Sequence, residues 1–192
     1  MNWLENILII AGISLDIFAS MEIQGAMLQK VRTKTLFKVA GLVTLLQLIF
    51  FYGGYLAFFQ IARKNVFGNA RWAGYLIASI VFILLGIRLI SKAIKREFVD
   101  EKRTEITTKQ YLRIICVTTI YTFFTGCACG LVGINVLFML AIIIVASIVV
   151  TIGGIYCGYN FGFELKTYVY VIAALIEWIA GFEIIMRNVV VR

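Results

Sequence analysis

The sequence predicts an all-α integral membrane protein of six transmembrane helices, and three observations carry that reading. Of the 192 residues, 62% are hydrophobic and 15% charged, with a mean hydropathy of +0.97. A water-soluble domain of this size cannot hide so much apolar surface. The apolar residues also gather into six stretches, near 3–28, 36–61, 72–94, 110–132, 134–159 and 166–189, each close to the roughly 20 residues that cross a hydrocarbon core. Finally, no stretch alternates with a period of two. Backbone polar groups must be paired in lipid, so such runs form helices and not barrel strands.

Taken in order, the first stretch is too long for a cleavable leader, lacks a basic start and carries Asp16, so it is expected to remain as the first helix. The second holds Thr44, Gln47 and the pair Gly53-Gly54, and the third ends on Gly86-Ile87-Arg88. A segment of mixed charge, 95–109, then reads as a solvated cytoplasmic linker. Four threonines (Thr118, Thr119, Thr122 and Thr125) mark the fourth stretch. In the fifth, Gly154, Gly158 and Gly162 recur every four residues, clearing one face for close helix contact; packing within the chain is favoured there over a homodimer seam. The sixth carries Glu177 and Glu183. The chain contains no proline, so a break in a helix is expected only at Gly53-Gly54, at Gly153-Gly154 or between Gly126 and Gly133.

Two halves are expected, residues 1–94 and 110–192, each of three helices. An odd number per half makes them inverted repeats. The paired glycines of the second and fifth helices fit this, as does Gly86-Ile87-Arg88 set against Gly181-Phe182-Glu183. Arg88 and Glu183, at matched positions, are expected to form a gating or structural pair; the local alternative for Glu183 is Arg187, one turn on.

The formal charge of +8 is read as a topological signal. An outward N-terminus leaves Lys30, Arg32, Lys34, Lys38, the basic group from Arg88 to Arg113, and Lys166 inside, with Arg63, Lys64, Arg71, Arg187 and Arg192 outside. The positive-inside rule therefore places both termini outside a plasma membrane. Basic residues in short loops between spans meet anionic lipid heads, not nucleic acid.

Asp16 is the most informative residue. A carboxylate at the depth of lipid tails costs about 2.5 to 3.5 kcal/mol on insertion scales, and such residues face a pore, a partner or a bound cation. The expectation is that a passing cation, not a permanent protein neighbour, balances Asp16. Glu22 lies about 240° round the helix from Asp16, so the two should not chelate one ion; Glu22 is assigned either to an entrance or to a pair with a loop cation. Glu177 has no basic residue within one turn.

Other chemistries are excluded or weakened. With no histidine, a Ser-His-Asp triad, a His-ligated haem and a His-based zinc site are out. Cys116, Cys127, Cys129 and Cys157 lack Cys-x-x-Cys spacing and read as small apolar fillers, with a thiol-electron carrier as the weakest rival. No enzyme chemistry is indicated. Carboxylate, amide and hydroxyl oxygens suit a hard cation such as Mn²⁺, Mg²⁺ or Ca²⁺, or else protons or Na⁺.

Ser14-Leu15-Asp16-Ile17-Phe18-Ala19 resembles the Ser-(Leu/Met)-Asp-Ala-Phe-Ala motif of the MntP family of manganese efflux pumps, within the LysE-like exporters. Gly25-Ala26, Gln47 with Gly54-Tyr55, Leu85-Gly86-Ile87-Arg88 and the glycines Gly154, Gly158 and Gly162 extend the resemblance. It implies a six-helix exporter of a metal cation, manganese first, with no permanently bound cofactor and alternating access as the two repeats rock. It also implies Asp16 as ligand, with Gln47 and Thr125 supplying neutral oxygens; Glu177 is set beside them as the acid expected to make up for a missing second aspartate, without which divalent binding is weaker. The sequence departs from the family where a second intramembrane aspartate would stand: Phe123-Phe124-Thr125-Gly126 places Thr125 there. A non-transporting accessory protein that kept the fold, or an exporter of another small solute, are the alternatives.

Overall fold

The computed structural model describes residues 3–63, 70–95 and 108–186. Six helices follow the apolar stretches closely: α1 (Trp3–Ala26), α2 (Thr33–Arg63), α3 (Ala70–Ile94), α4 (Thr108–Val132), α5 (Val136–Phe161) and α6 (Lys166–Ile185). Five are long and apolar enough to cross a membrane. In α4 the described apolar part is Thr118–Val132. Most of the charged linker, from 96 to 107, lies outside the described residues, as does Arg187, the alternative partner of Glu183.

α2 and α5 run unbroken through Gly53-Gly54 and Gly153-Gly154. The chain turns instead at Gly133, whose φ of 71° suits a residue without a Cβ. Asn135 then opens α5, its side-chain oxygen accepting from the Phe138 amide at 3.4 Å, as N-cap asparagines do.

Each helix packs mainly on one from the opposite half: α1 on α5, α2 on α4 and α3 on α6. α1 also meets α6, α3 meets α4, and α2 meets α5. Glycine brings the backbones together. Gly154 and Gly158 of α5 lie against the carbonyls of Phe18 and Glu22, while Gly25 of α1 lies against that of Ile155. Gly54 of α2 faces the Phe123 carbonyl, and Gly126 and Gly130 of α4 face those of Phe51 and Tyr55. Such approaches supply the dispersion and weak Cα–H contacts that hold helices together where lipid removes the hydrophobic drive. Gly162, the third glycine of the α5 series, meets nothing; it ends the helix at φ 72°, its N–H donating to the Gly158 carbonyl at 2.9 Å.

α1, not α5, is the central element. Its span is 72% buried, whereas that of α5 is 22% buried and turns most of its surface to lipid. Asp16 therefore sits on the most enclosed helix of the bundle.

Candidate functional site

α1, α3, α4 and α6 surround a cavity of about 20 Å³ lined by Gly12, Ile13, Asp16, Ile17, Leu85, Arg88, Leu89, Thr118, Tyr121, Thr122, Thr125 and Glu177. That is room for roughly one water molecule or one small ion. Asp16 stands ten residues before the end of α1 and Glu177 eleven residues after the start of α6. At 1.5 Å per residue both carboxyls lie roughly 15 Å from the same end of the bundle, near mid-span.

Asp16 is 5% exposed, and its carboxylate is balanced by the protein. Arg88 Nη1 donates to Oδ2 at 3.0 Å and Lys92 Nζ to Oδ1 at 2.8 Å. This corrects the expectation of an Asp16 paired only by a passing ion. It also corrects the expected Arg88–Glu183 pair, since Arg88 turns to α1 while Glu183 borders a shallow apolar groove with Leu175, Trp178, Ile179, Phe182 and Met186. The physical reason is spacing: residues 88 and 92 are one turn apart, so both cations leave α3 on the same face. The Arg88 guanidinium also rests on the Tyr121 ring, 2.9 Å from its centre, a cation–π contact that fixes it against α4. Its Nη2 is buried without a hydrogen-bond partner.

Glu177 comes from the opposite wall. It is 2% exposed and its Oε2 has no hydrogen-bond partner. Gly12 makes room for it, because a Cβ there would collide with the Glu177 carboxyl. From α4, Thr118 and Thr125 point hydroxyls back to the carbonyls of Ile115 and Tyr121, at 2.9 and 3.2 Å. Each hydroxyl thus spends its proton on its own helix.

Of the residues expected to bind metal, Asp16, Thr125 and Glu177 line this cavity; Gln47 does not. α2 packs on α4 and α5, and the Gln47 side chain is buried with Oε1 unpartnered. Nearby on the same interface the Thr44 hydroxyl pairs with that of Ser147 at 2.8 Å. Glu22, fully buried, lies near Leu165 and Lys166 at the start of α6, but both of its carboxylate oxygens are without a hydrogen-bond partner. Lys166 Nζ itself donates to the carbonyl of Lys95, at the end of α3, at 3.0 Å. Among the described residues no group of three or more Cys, Asp and Glu side chains could hold a metal. Sequence reasoning missed Lys92 and Tyr121. The first reads as one more inner-face positive charge, the second as one more aromatic in lipid.

The sequence profile of a family described as "Putative manganese efflux pump" matches residues 30–185, which takes in α2 to α6. The chain belongs to the MntP family. The match begins after α1, so α2–α6 carry it and the Asp16 motif does not contribute. No match was found among curated proteins or among solved structures. MntP is a transporter family, and the helices that carry this cavity are those of a multi-pass membrane protein.

Proposed function

We propose that the chain exports a divalent metal cation, Mn²⁺ foremost, through the cavity between α1, α3, α4 and α6. The observation that carries this is a pair of buried mid-span carboxyls, Asp16 and Glu177, on one ion-sized cavity with threonine hydroxyls beside them. Oxygen donors without thiolate or imidazole favour a hard cation. Asp16, Glu177 and Thr125 are the proposed ligands, and Gln47 is left out of the set. In the state described, Asp16 is held by α3; the transported ion takes over this carboxylate in another state. Glu22 is read as an acid in the favourable field of the α6 N-terminus and Lys166, without a capping hydrogen bond, and not as an entrance.

The helix pairing supports inverted repeats. Exchanging α1, α2, α3 with α4, α5, α6 maps the six main packed pairs onto one another. The glycine crossings repeat as well: Gly25 on Ile155 answers Gly130 on Tyr55, and Gly154 on Phe18 answers Gly54 on Phe123. That register sets Tyr121, not Thr125, opposite Asp16. It also changes which bodies would move, because rocking one half against the other would pull apart every glycine crossing. Alternating access is better served by the α1–α5 pair moving against the α2–α4 pair, driven by an inward proton or sodium gradient. Since α1 already occupies Gly154 and Gly158, a homodimer would need another face. The termini are placed outside a plasma membrane by the loop charges.

A second reading has its own observation: one carboxylate clamped by two protein cations suits an accessory protein that keeps the fold without transport. One experiment separates the two. Purified full-length chain in liposomes is expected to move Mn²⁺ down its gradient, and Asp16→Asn to reduce that flux at least tenfold. No flux from the wild-type chain, or full flux from Asp16→Asn, overturns the exporter reading.

A further inference from the structure

Arg88 and Lys92 hold the same carboxylate but are not equivalent. Arg88 is pinned on the Tyr121 ring at 2.9 Å, and a planar guanidinium so stacked has little freedom. Lys92 stands in the last turn of α3 and is the more exposed of the two, 24% against 17% for the side chains. Its ammonium lies 5.3 Å from the Tyr170 ring and 5.9 Å from that of Tyr121. Two aromatic faces therefore flank the path by which a flexible four-carbon chain could leave Asp16 and still keep a favourable partner. Tyr170 is itself fixed by a 3.3 Å hydrogen bond between its hydroxyl and Ser20.

We propose that Lys92 is a tethered competitor of the transported cation: its ammonium occupies Asp16 when no metal is bound, and a divalent ion displaces it while Arg88 stays in place. This rests on the exporter reading and adds to it a specificity-determining residue. A monovalent ion brings the same charge as the ammonium but no tether, so it cannot compete; a divalent ion brings twice the charge and can. Lys92 thus sets both the affinity and the preference for divalent over monovalent cations, acting through Asp16 as a positioning residue.

The test uses full-length chain in liposomes with Mn²⁺ as the transported probe. Lys92→Gln is expected to lower the half-saturating Mn²⁺ concentration about tenfold, the scale of a close charge pair, while also lowering the maximal rate, because the ion now leaves Asp16 slowly. Na⁺ added equally on both sides, so that it makes no gradient, is expected to inhibit Lys92→Gln and to leave the wild type uninhibited. Lys92→Arg, which keeps the charge, is expected to show a half-saturation no lower than wild type. A merely structural role would raise half-saturation or lower the rate alone. Unchanged or raised half-saturation in Lys92→Gln overturns the proposal, and so does Na⁺ inhibition of the wild type. If Lys92→Gln does not fold, tighter Mn²⁺ half-saturation in Lys92→Arg overturns it. Failure here with Mn²⁺ flux intact in the wild type and lost in Asp16→Asn sinks the competitor alone; absence of wild-type flux sinks the exporter reading and the competitor together.

Discussion

The carbonyl of Glu22 on α1 projects into the space that Gly158 on α5 leaves by having no Cβ. Any side chain at 158 must push two backbones apart, and neither can yield cheaply. Gly158→Ala is expected to destabilise the protein by about 1 to 3 kcal/mol, the range for overpacking. Gly53→Ala is the matched control, since a Cβ there meets nothing within 4 Å, and is expected to be neutral or to stabilise by about 0.5 to 1 kcal/mol. Thermal unfolding of both variants in one detergent checks the contrast.

Gly12 and Glu177 make the second case. A Cβ at residue 12 meets the carboxyl end of a side chain, not a backbone, so Glu177 can turn aside. Gly12→Ala should fold as the wild type does while weakening Mn²⁺ half-saturation several-fold, on the order of 1 kcal/mol. Equal melting temperatures beside unequal transport curves would bear this out; identical transport curves would remove Glu177 from the site.

Tyr121 holds Arg88 through its ring and not through its hydroxyl, for the guanidinium carbon lies over the ring face. Tyr121→Phe is therefore expected to preserve transport. Tyr121→Leu, which removes the π-face, is expected to cost about 0.5 to 2 kcal/mol of stability and to loosen the hold on Arg88. Transport and unfolding of the two variants, measured side by side, decide between ring and hydroxyl.

Thr44 and Ser147 join α2 to α5 through a 2.8 Å hydroxyl pair. A double-mutant cycle with Thr44→Val and Ser147→Ala should give a coupling of about 0.5 to 1.5 kcal/mol, the scale of interhelical hydrogen bonds in membranes. Additive single effects would show that the pair contributes nothing net.

Helix positions were legible because bilayer thickness sets their length, and they agree with the apolar stretches to within a few residues at the α1–α5 ends. Cavity membership was only partly legible. Asp16 and Glu177 announce themselves as acids with no local cation, and both line the cavity. Gln47 looked equally polar and equally deep, yet α2 packs on α4 and α5, and helix order in space is not written in periodicity. Lys92 was hidden for a different reason. In a loop-charge count it is one of many inner-face cations, and only its spacing of four from Arg88 hints that the two share a face. The glycines of α5 do not make it the enclosed helix, which is α1, because a glycine face says that something approaches closely and not which partner is enclosed.

The pairing of α1 with α5 bears on how the protein is made. α1 is synthesised first, but the glycines that receive its backbone arrive more than a hundred residues later. The Asp16 carboxylate likewise has no counter-charge until Arg88 and Lys92 have entered the membrane with α3. During biogenesis α1 must wait beside the insertion machinery or at the lipid surface, its acid without partners, and the bundle can close around it only once α3 and α5 have entered the membrane.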